Sequence, residues 1–209
     1  MSAADSCGCC EHGTYADSTD WPADVSRMLY ERLARLGFDG RSVLEIGCGY
    51  GRLLVGALVA GGRLGTGVEL DPEALEEARE RAEEAGVAAR TTFVQGDGAE
   101  LGLPSHDFVV LDRVICCYAD ADRLLARSVA SAGLAYAMTV PESRGFRGAW
   151  NRVTYTFGAI LDTVRGEERV YLHDVRRLER RLSAAGFRPE DAERLGKWHV
   201  GIYLRDRLR

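Results

Sequence analysis

Short apolar runs alternate with amphipathic stretches between residues 41 and 141, and this alternation predicts strands joined by helices. Runs of consecutive apolar residues, such as 108–111, are typical of parallel strands that are buried on both faces. Stretches with apolar side chains at steps of three or four, such as 73–85, are typical of helices packed on a sheet. The predicted strands are 43–46, 64–70, 91–95, 108–111 and 134–140, and the predicted helices between them are 53–59, 73–85 and 122–132.

The two ends of the chain follow other patterns. Residues 1–20 are small and polar and predict a mobile arm, and a helix is predicted after Trp21-Pro22. Near the C-terminus, a helix over 174–185 precedes two strand-like runs, 192–195 and 199–204, whose three-residue link requires an antiparallel pair. The whole pattern predicts an α/β, Rossmann-like fold: a seven-stranded, mainly parallel sheet with a terminal antiparallel hairpin and helices on both faces.

Composition and charge narrow the possible classes of function. The chain has 209 residues, 46% hydrophobic and 28% charged, which suits one generous folded domain over 21–209. A net charge of -5 argues against nucleic acid as the main partner, although eleven arginines between 144 and 194 make the C-terminal third locally basic. A small-molecule substrate is therefore expected, and the sequence leaves the oligomeric state open.

The lengths of the apolar runs and the positions of the cysteines indicate the cellular compartment in which the protein is expected. No run approaches the roughly 18–20 apolar residues of a membrane span, and residues 1–20 lack the basic-then-apolar design of a signal peptide. Three of the six cysteines cluster at 7, 9 and 10 and two are adjacent at 116 and 117, which does not resemble a disulfide framework. We therefore expect a cytoplasmic protein with reduced thiols and no membrane partner.

A glycine-rich turn follows the first predicted strand. Residues 45–51 read Glu-Ile-Gly-Cys-Gly-Tyr-Gly, and such glycines let a backbone turn sharply and approach a ligand at the positive end of the next helix. A dinucleotide fingerprint would instead have the spacing G-x-G-x-x-G. The E-x-G-x-G-x-G spacing resembles motif I of the class I S-adenosylmethionine-dependent methyltransferases, in which the turn wraps the methionine part of the cofactor.

Acidic residues follow the next two predicted strands. Glu69 ends the second strand, where its carboxylate can accept hydrogen bonds from both ribose hydroxyls, and Asp97 follows the third strand, where it can accept one from the adenine amino group. Taken singly, Glu69 could be an exposed strand-end acid and Asp97 a turn former. The resemblance to the methyltransferases, which covers residues 40–140 well, implies that S-adenosylmethionine is bound by Glu45, Gly47, Cys48, Gly49, Gly51, Glu69, Leu70, Asp97, Gly98 and Asp112.

The string that follows the fourth predicted strand faces the transferred methyl group in this family. Residues 112–118 read Asp-Arg-Val-Ile-Cys-Cys-Tyr, which resembles the corresponding segment of the magnesium-protoporphyrin O-methyltransferase branch. The same branch shows an early cysteine cluster, an asparagine after the fifth strand and an aromatic-x-His segment, found here at 7–10, at Asn151 and at 171–173. The resemblance implies that the catalytic residues are Asp112, Arg113, Tyr118 and His173.

Two kinds of oxygen acceptor remain open from these residues. A carboxylate acceptor is anionic at neutral pH and needs only cations to hold it, for which the candidates are Arg113, Arg144, Arg147 and Arg152. A phenol or alcohol needs a base, for which the candidates are His106, His173 and Tyr118. His173 is equally well interpreted as a packed helix-entry residue, and Cys116 and Cys117 as small apolar fillers.

Two further segments have competing interpretations. The insertion over 142–173 carries an apolar stripe that fits either a core helix or a lid over an apolar substrate. The cluster Cys7-x-Cys9-Cys10-x-His12 lacks the paired spacing of a structural zinc site, so we predict a disordered arm and no metal. If this cluster did bind a soft metal, a thiophilic, arsenite-like substrate would become a candidate.

The sequence thus favours a methyltransferase that acts on a small molecule, with oxygen as the acceptor atom. The alternative from another class is a non-catalytic nucleotide-binding or regulatory domain of the same fold. A nicotinamide-dependent dehydrogenase is disfavoured by the glycine spacing. An RNA methyltransferase is disfavoured because the fourth strand is followed by Asp112-Arg113-Val114-Ile115 rather than by an Asn-Pro-Pro-aromatic string.

Overall fold

Strands and helices alternate through residues 24–145 and 171–206, which are the residues that the computed structural model describes. The strands are β1 (Ser42–Ile46), β2 (Leu64–Glu69), β3 (Thr91–Gln95), β4 (His106–Asp112), β5 (Ala132–Pro141), β6 (Phe187–Leu195) and β7 (Trp198–Arg205). The helices are α1 (Asp24–Leu36), α2 (Arg52–Val59), α3 (Pro72–Glu84), α4 (Ala121–Ser131) and α5 (Val175–Ala184). Short 3-10 turns cover Ala88–Arg90 and Ile115–Cys117.

The strands form one sheet in the order β3-β2-β1-β4-β5-β7-β6. The first five are parallel, and β7 pairs antiparallel with both β5 and β6. The predicted seven-stranded, mainly parallel sheet with a terminal hairpin is therefore confirmed. Because the chain moves from β1 outward to β3 and then returns to β4, the strand order reverses between β1 and β4. Ligands of such sheets bind at the carboxyl ends of the strands beside this point.

Helices cover both faces of the sheet, as the apolar periodicity predicts. On one face, α4 and α5 pack against a cluster that includes Leu44, Leu111 and Tyr136. On the other, α1 and α2 pack against a cluster that includes Val43 and Phe108, and α3 packs against α2. Consecutive residues of β4 thus point into opposite cores, which is why 108–111 is apolar without alternation. None of the described helices has the length and apolar character needed to cross a membrane.

The last hairpin differs from the prediction at one strand. β6 begins at Phe187, five residues before the predicted start at 192. Pro189 lies inside it, where the register shifts between Pro189 and Asp191. Proline is tolerated there because β6 is an edge strand and the pairing is irregular at that point. Residues 188–194 are mostly polar because an edge strand buries little of its surface, so the apolar pattern does not predict a strand there.

A buried polar cluster joins the end of β5 to β7. The guanidinium of Arg144 donates to Nδ1 of His199 at 2.9 Å, and Nε2 of that ring lies 3.0 Å from the hydroxyl of Tyr203. The same guanidinium pairs with Glu142 and Glu179. Because an arginine only donates, Nδ1 accepts and Nε2 carries the proton, so the ring is neutral. Burial, and then the charge of Arg144, lowers the pKa of His199 to about 4.

We expect this cluster to make folding stability depend on pH. The pKa of His199 is lower in the folded chain than its ordinary 6.5, so its contribution is complete above pH 6.5 and is lost as the pH falls toward 4. The loss should reach about 2 kcal/mol at pH 5. Urea unfolding at pH 8 and pH 5 should show a smaller difference for His199→Gln than for the wild type. Buried His106 remains in both proteins, so an equal difference in both would contradict this assignment.

Candidate functional site

The glycine-rich turn lies between β1 and α2, at the carboxyl edge of the sheet. The amides of Gly47 and Cys48 both donate to the carbonyl of Val68, at 2.7 and 3.1 Å, which ties the turn to β2. Gly51 is the N-cap of α2 in a left-handed conformation. The turn therefore presents its backbone and the first turn of α2 to the space above β1 and β2.

The three glycines serve different purposes. All have positive φ, at 69° for Gly47, 47° for Gly49 and 71° for Gly51. A Cβ on Gly47 would lie 2.2 Å from Cγ2 of Val114, and one on Gly51 would lie 3.0 Å from the Cβ of Ala78. A Cβ on Gly49 would meet nothing within 4 Å. Gly49 is thus the position with open space for a ligand, whereas Gly47 and Gly51 are required by packing.

The side chain of Glu45, near the end of β1, bonds to the helix that follows the turn. Its carboxylate accepts a hydrogen bond from the amide of Leu54, at 3.0 Å, and so caps α2. Burial, and then the nearby charges of Asp112 and Glu69, raises the pKa of this carboxyl. The sulfur of Cys48 is buried as well, and burial raises the pKa of its thiol. The direct cofactor contacts predicted for these two residues stay predictions.

Glu69 is held by backbone amides at the end of β2. Its Oε2 accepts from the amide of Gly49 at 2.9 Å, and Oε1 accepts from the amides of Leu70 and Asp71 at 2.7 and 3.2 Å. A carboxylate has about four acceptor positions, so Oε2 keeps room for a further donor such as a hydroxyl. Leu70 beside it is 51% exposed and offers an apolar surface at the same edge.

Asp97 lies beyond the end of β3. Its Oδ1 accepts from the amide of Ala99 and from the hydroxyl of Tyr118, both at 2.7 Å. Among the described residues no donor reaches Oδ2. Gly98 has a reason other than close approach to a ligand, because a Cβ there would lie 2.4 Å from Cγ2 of Ile46. The cofactor contact that the resemblance implies for Gly98 stays a prediction.

Asp112, at the end of β4, has two hydroxyl partners that sequence reasoning missed. Ser26 of α1 donates to its Oδ2, and Thr139 of β5 donates to its Oδ1. The amide of Arg113 donates in turn to Thr139 at 2.7 Å, and Arg113 has a φ of 58°. Left-handed backbone costs a non-glycine residue about 1–2 kcal/mol. Ser26 has no local motif that could have revealed it, because it lies 86 residues from its partner.

Several hydrogen bonds in the segment after β4 are accepted by its own backbone carbonyls. Thiols of Cys116 and Cys117 point at the carbonyl of Arg113, at 3.2 and 3.6 Å, and the phenol of Tyr118 points back at Asp97. Nε2 of His173 donates to the carbonyl of Tyr118 at 2.8 Å. Both cysteines therefore help to shape the turn, in agreement with a filler role. Catalytic roles for Tyr118 and His173 stay predictions.

One candidate base lies at the opposite edge of the sheet, and one candidate cation is already held by other side chains. His106 begins β4 and therefore lies at the amino ends of the parallel strands, where it bonds to Thr66 and to the carbonyl of Pro104. Its proposed role as a base is wrong, since the other site residues lie at the opposite edge. Arg144 is held in the internal cluster with Glu142 and His199.

Comparison with known proteins identifies the domain. A family model described as "Methyltransferase domain" matches residues 43–132, from β1 into the start of β5. Residues 43–132 thus match a methyltransferase domain, and the fold around them is that of the class I methyltransferases. The ribosomal protein L11 methyltransferase of Vibrio campbellii is 40% identical to this chain over 64 residues. That match covers 31% of this chain and 22% of the relative, so the chain matches about a fifth of that relative's length.

Solved structures share the fold of the methyltransferase domain over most of the chain. A magnesium protoporphyrin IX methyltransferase from Synechocystis PCC 6803 with bound SAH has a TM-score of 0.68 at 21% identity, and covers 87% of this chain and 82% of its own. An O-methyltransferase family protein from Burkholderia thailandensis also has a TM-score of 0.68, at 15% identity, covering 87% of this chain and 56% of its own. At these identities the likeness establishes the fold.

The carboxyl edge of the methyltransferase domain is acidic. Glu45, Glu69, Asp97 and Asp112 lie at the ends of neighbouring strands, and Asp112 and Glu69 both act on the pKa of Glu45. Such an edge repels phosphates and attracts a cationic ligand that carries hydroxyl and amino donors. Together with the open side of Gly49, this donor and acceptor set fits S-adenosylmethionine, with its sulfonium, ammonium, diol and adenine, better than a dinucleotide.

Several predicted features of the chain lie outside the described residues. They are the 1–20 arm with Cys7, Cys9, Cys10 and His12, the start of the first predicted helix at Trp21-Pro22, most of the 142–173 insertion with Arg147, Asn151 and Arg152, and the last three residues. The division into an arm and a single domain therefore stays a prediction. Within 24–145 and 171–206, no three His, Cys, Asp or Glu side chains are grouped to hold a metal ion.

Proposed function

We propose that the protein is an S-adenosylmethionine-dependent methyltransferase that methylates an oxygen atom of a small-molecule acceptor. The observation that carries the proposal is the alignment of Gly49, Glu69 and Asp97 along one edge of the sheet. Gly49 is open on its ligand side, Glu69 keeps acceptor capacity at Oε2, and Oδ2 of Asp97 has no donor among the described residues. The open backbone at Gly49 and the two oriented acceptors, Glu69 and Asp97, match a methyl donor that carries a ribose diol and an adenine amino group.

Positioning is the main contribution that the chain's own residues make to such a reaction. When bound, S-adenosylmethionine supplies a methyl group on an already activated sulfonium sulfur. Glu69 and Asp97 would hold the ribose and adenine ends, and the first turn of α2 would face the amino-acid end. Asp112, fixed by Ser26 and Thr139, lies at the next strand end, toward the acceptor side. Residues that keep both reactants in line supply most of the rate enhancement in a reaction of this kind.

Within the oxygen acceptors, we favour a carboxylate over a hydroxyl. A hydroxyl needs a base, yet the phenol of Tyr118 donates to Asp97, and burial together with that bond raises its pKa. His173 donates Nε2 to the carbonyl of Tyr118, its ring also interacts with the backbone of Ile115, and burial lowers the pKa of the ring. Asp112 accepts from two hydroxyls. A carboxylate is already anionic and needs no base, only a cation that offsets the acidic edge, and Arg113, which is paired with Asp112 at 3.7 Å, lies at that edge.

The similar proteins name two quite different acceptors. The Synechocystis structure is of a magnesium protoporphyrin IX methyltransferase, and the Vibrio relative is a ribosomal protein L11 methyltransferase. The protein acceptor has the weaker support here, because the match to that relative covers only 22% of its length. We therefore test a small-molecule acceptor first and keep a ribosomal-protein fraction as a separate arm of the experiment.

The test is transfer of a tritiated methyl group from S-adenosylmethionine into two fractions, a metabolite extract and ribosomal proteins. We expect label in the metabolite fraction that mild alkali releases as volatile methanol, because alkali hydrolyses methyl esters and leaves methyl ethers intact. Asp112→Asn should reduce this label at least tenfold. Exposed Glu77→Gln on α3 is the matched control and should leave it unchanged.

Each other outcome decides against a stated part of the proposal. Alkali-stable label in the metabolite fraction would contradict the carboxylate, and identification of the product would then separate a hydroxyl acceptor from nitrogen, sulfur or carbon. Label confined to the ribosomal proteins would overturn the small-molecule acceptor. Tight binding of S-adenosylmethionine with no labelled product in any fraction would favour the non-catalytic alternative, and no binding would overturn the donor site itself.

A further inference from the structure

Hydrogen bonds of the Tyr118 backbone hold this residue in the position from which its phenol reaches the predicted adenine site. The amide of Tyr118 donates to the carbonyl of Ile115 at 3.2 Å, and its carbonyl accepts from His173 at 2.8 Å. The amide of Tyr171 donates to the carbonyl of Cys116 at 2.6 Å, so the segment at 171–173 is bonded to this turn at two points. Tyr118 is half-buried, and its hydroxyl reaches a carboxylate 21 residues away.

The hydrogen bond from Tyr118 determines which oxygen of Asp97 remains for a ligand. Oδ1 is occupied by the phenol and by the amide of Ala99, both at 2.7 Å. Two donors on one oxygen hold the carboxylate plane in one orientation. They leave Oδ2 as the oxygen that accepts from a ligand, since no described residue donates to it.

An ionised carboxylate can only accept hydrogen bonds. It therefore suits a purine with an amino group at position 6 and opposes one with an oxygen there, because two acceptors would then face each other. A site built around a hydrogen bond rejects an analogue that cannot form it far more strongly than an apolar pocket rejects a change of size. The orientation of Asp97 is thus a means of selecting the base.

We propose that Tyr118 is a positioning residue that makes this site selective for a 6-amino purine. It does so by holding Asp97 in the orientation in which only Oδ2 faces the base. This inference rests on the proposed function. This role replaces the catalytic role predicted for Tyr118. It requires no proton transfer from the phenol. Without the phenol, Asp97 can turn away from the base, so a 6-oxo purine meets less repulsion between facing acceptors.

The test compares two ligands by calorimetric titration: S-adenosylhomocysteine and its deaminated analogue S-inosylhomocysteine. The wild type should bind the adenosyl compound at least a hundredfold more tightly. Tyr118→Phe should bind S-adenosylhomocysteine about tenfold more weakly while binding the inosyl compound equally well or better, so that the selectivity ratio falls at least tenfold. Asp97→Asn, whose amide can donate, should lower the ratio further, and adding Tyr118→Phe to it should change the ratio little.

Tyr30→Phe is the matched control, because it removes a hydrogen-bonded phenol from α1, where Tyr30 bonds to the carbonyl of Gly56. It should leave both affinities unchanged. Equal weakening of both ligands by Tyr118→Phe, with the ratio preserved, would mean that Tyr118 only supports the fold, and would overturn the proposal. Failure of the wild type to bind S-adenosylhomocysteine at all would instead overturn the proposed function.

Discussion

Replacing Glu69 with glutamine is expected to weaken binding of S-adenosylhomocysteine at least tenfold, which corresponds to about 1.4 kcal/mol or more. The carboxylate accepts three backbone amides, from Gly49, Leu70 and Asp71. Glutamine has one acceptor oxygen, so its amide nitrogen must face at least one of these donors, and the residual acceptor for the ribose is lost. Calorimetric titration of both proteins measures the effect, with wild-type affinity expected in the micromolar range.

The same substitution should lower the free energy of unfolding by about 1–3 kcal/mol, because a backbone donor loses its partner. Glu77→Gln on the exposed face of α3 removes the same charge without touching the site, and both quantities should stay at their wild-type values. An unchanged affinity in Glu69→Gln, with the fold intact, would remove the ribose assignment.

Gly47→Ala is expected to lower the free energy of unfolding by about 4 kcal/mol. The left-handed backbone, with φ of 69°, costs alanine about 1–2 kcal/mol. Its Cβ would in addition lie 2.2 Å from Cγ2 of Val114, and overpacking of this kind costs typically about 1–3 kcal/mol. Urea unfolding measures the loss, and Val114→Ala should restore much of the steric part when the two changes are combined.

Gly49→Ala separates packing from ligand contact. With φ of 47° and nothing within 4 Å of its Cβ, the substitution should cost only the backbone part, about 1–2 kcal/mol of stability. Its methyl group would occupy the space that is open to the cofactor, so binding of S-adenosylhomocysteine should weaken at least tenfold. Equal losses of stability in both glycine variants would contradict the different roles assigned to Gly47 and Gly49.

The fold was largely predictable because its signals are local. Apolar runs and glycine positions give the parallel strands, and Asp71 with Pro72 predicts the start of α3, where the carboxylate accepts from the amide of Glu73 at 2.9 Å. β6 was placed too late because an edge strand with polar residues and Pro189 has no apolar signature. His106 was misassigned because its residue type was considered without its position: it precedes the predicted strand 108–111 and therefore lies at the amino edge of the sheet.

The candidate site was predictable only in part. Gly49, Glu69 and Asp97 could be found because each lies at or shortly after the end of a strand, and all parallel strands end at one edge. Ser26 could not be found, because its bond to Asp112 depends on how α1 packs across the sheet. The link from Tyr118 to Asp97 depends in the same way on the path of the turn after β4.

The sequence by itself determined the order of strands and helices, the parallel sheet and the strand ends that form the donor site, because periodicity and turn chemistry act over a few neighbouring residues. Only the tertiary structure determined which of these groups pack against or hydrogen-bond to one another. Packing against Val114 accounts for Gly47, and bonds spanning 86 and 21 residues fix Asp112 and Asp97. Such contacts form when separate elements pack around a common core, and no local pattern along the chain encodes their geometry.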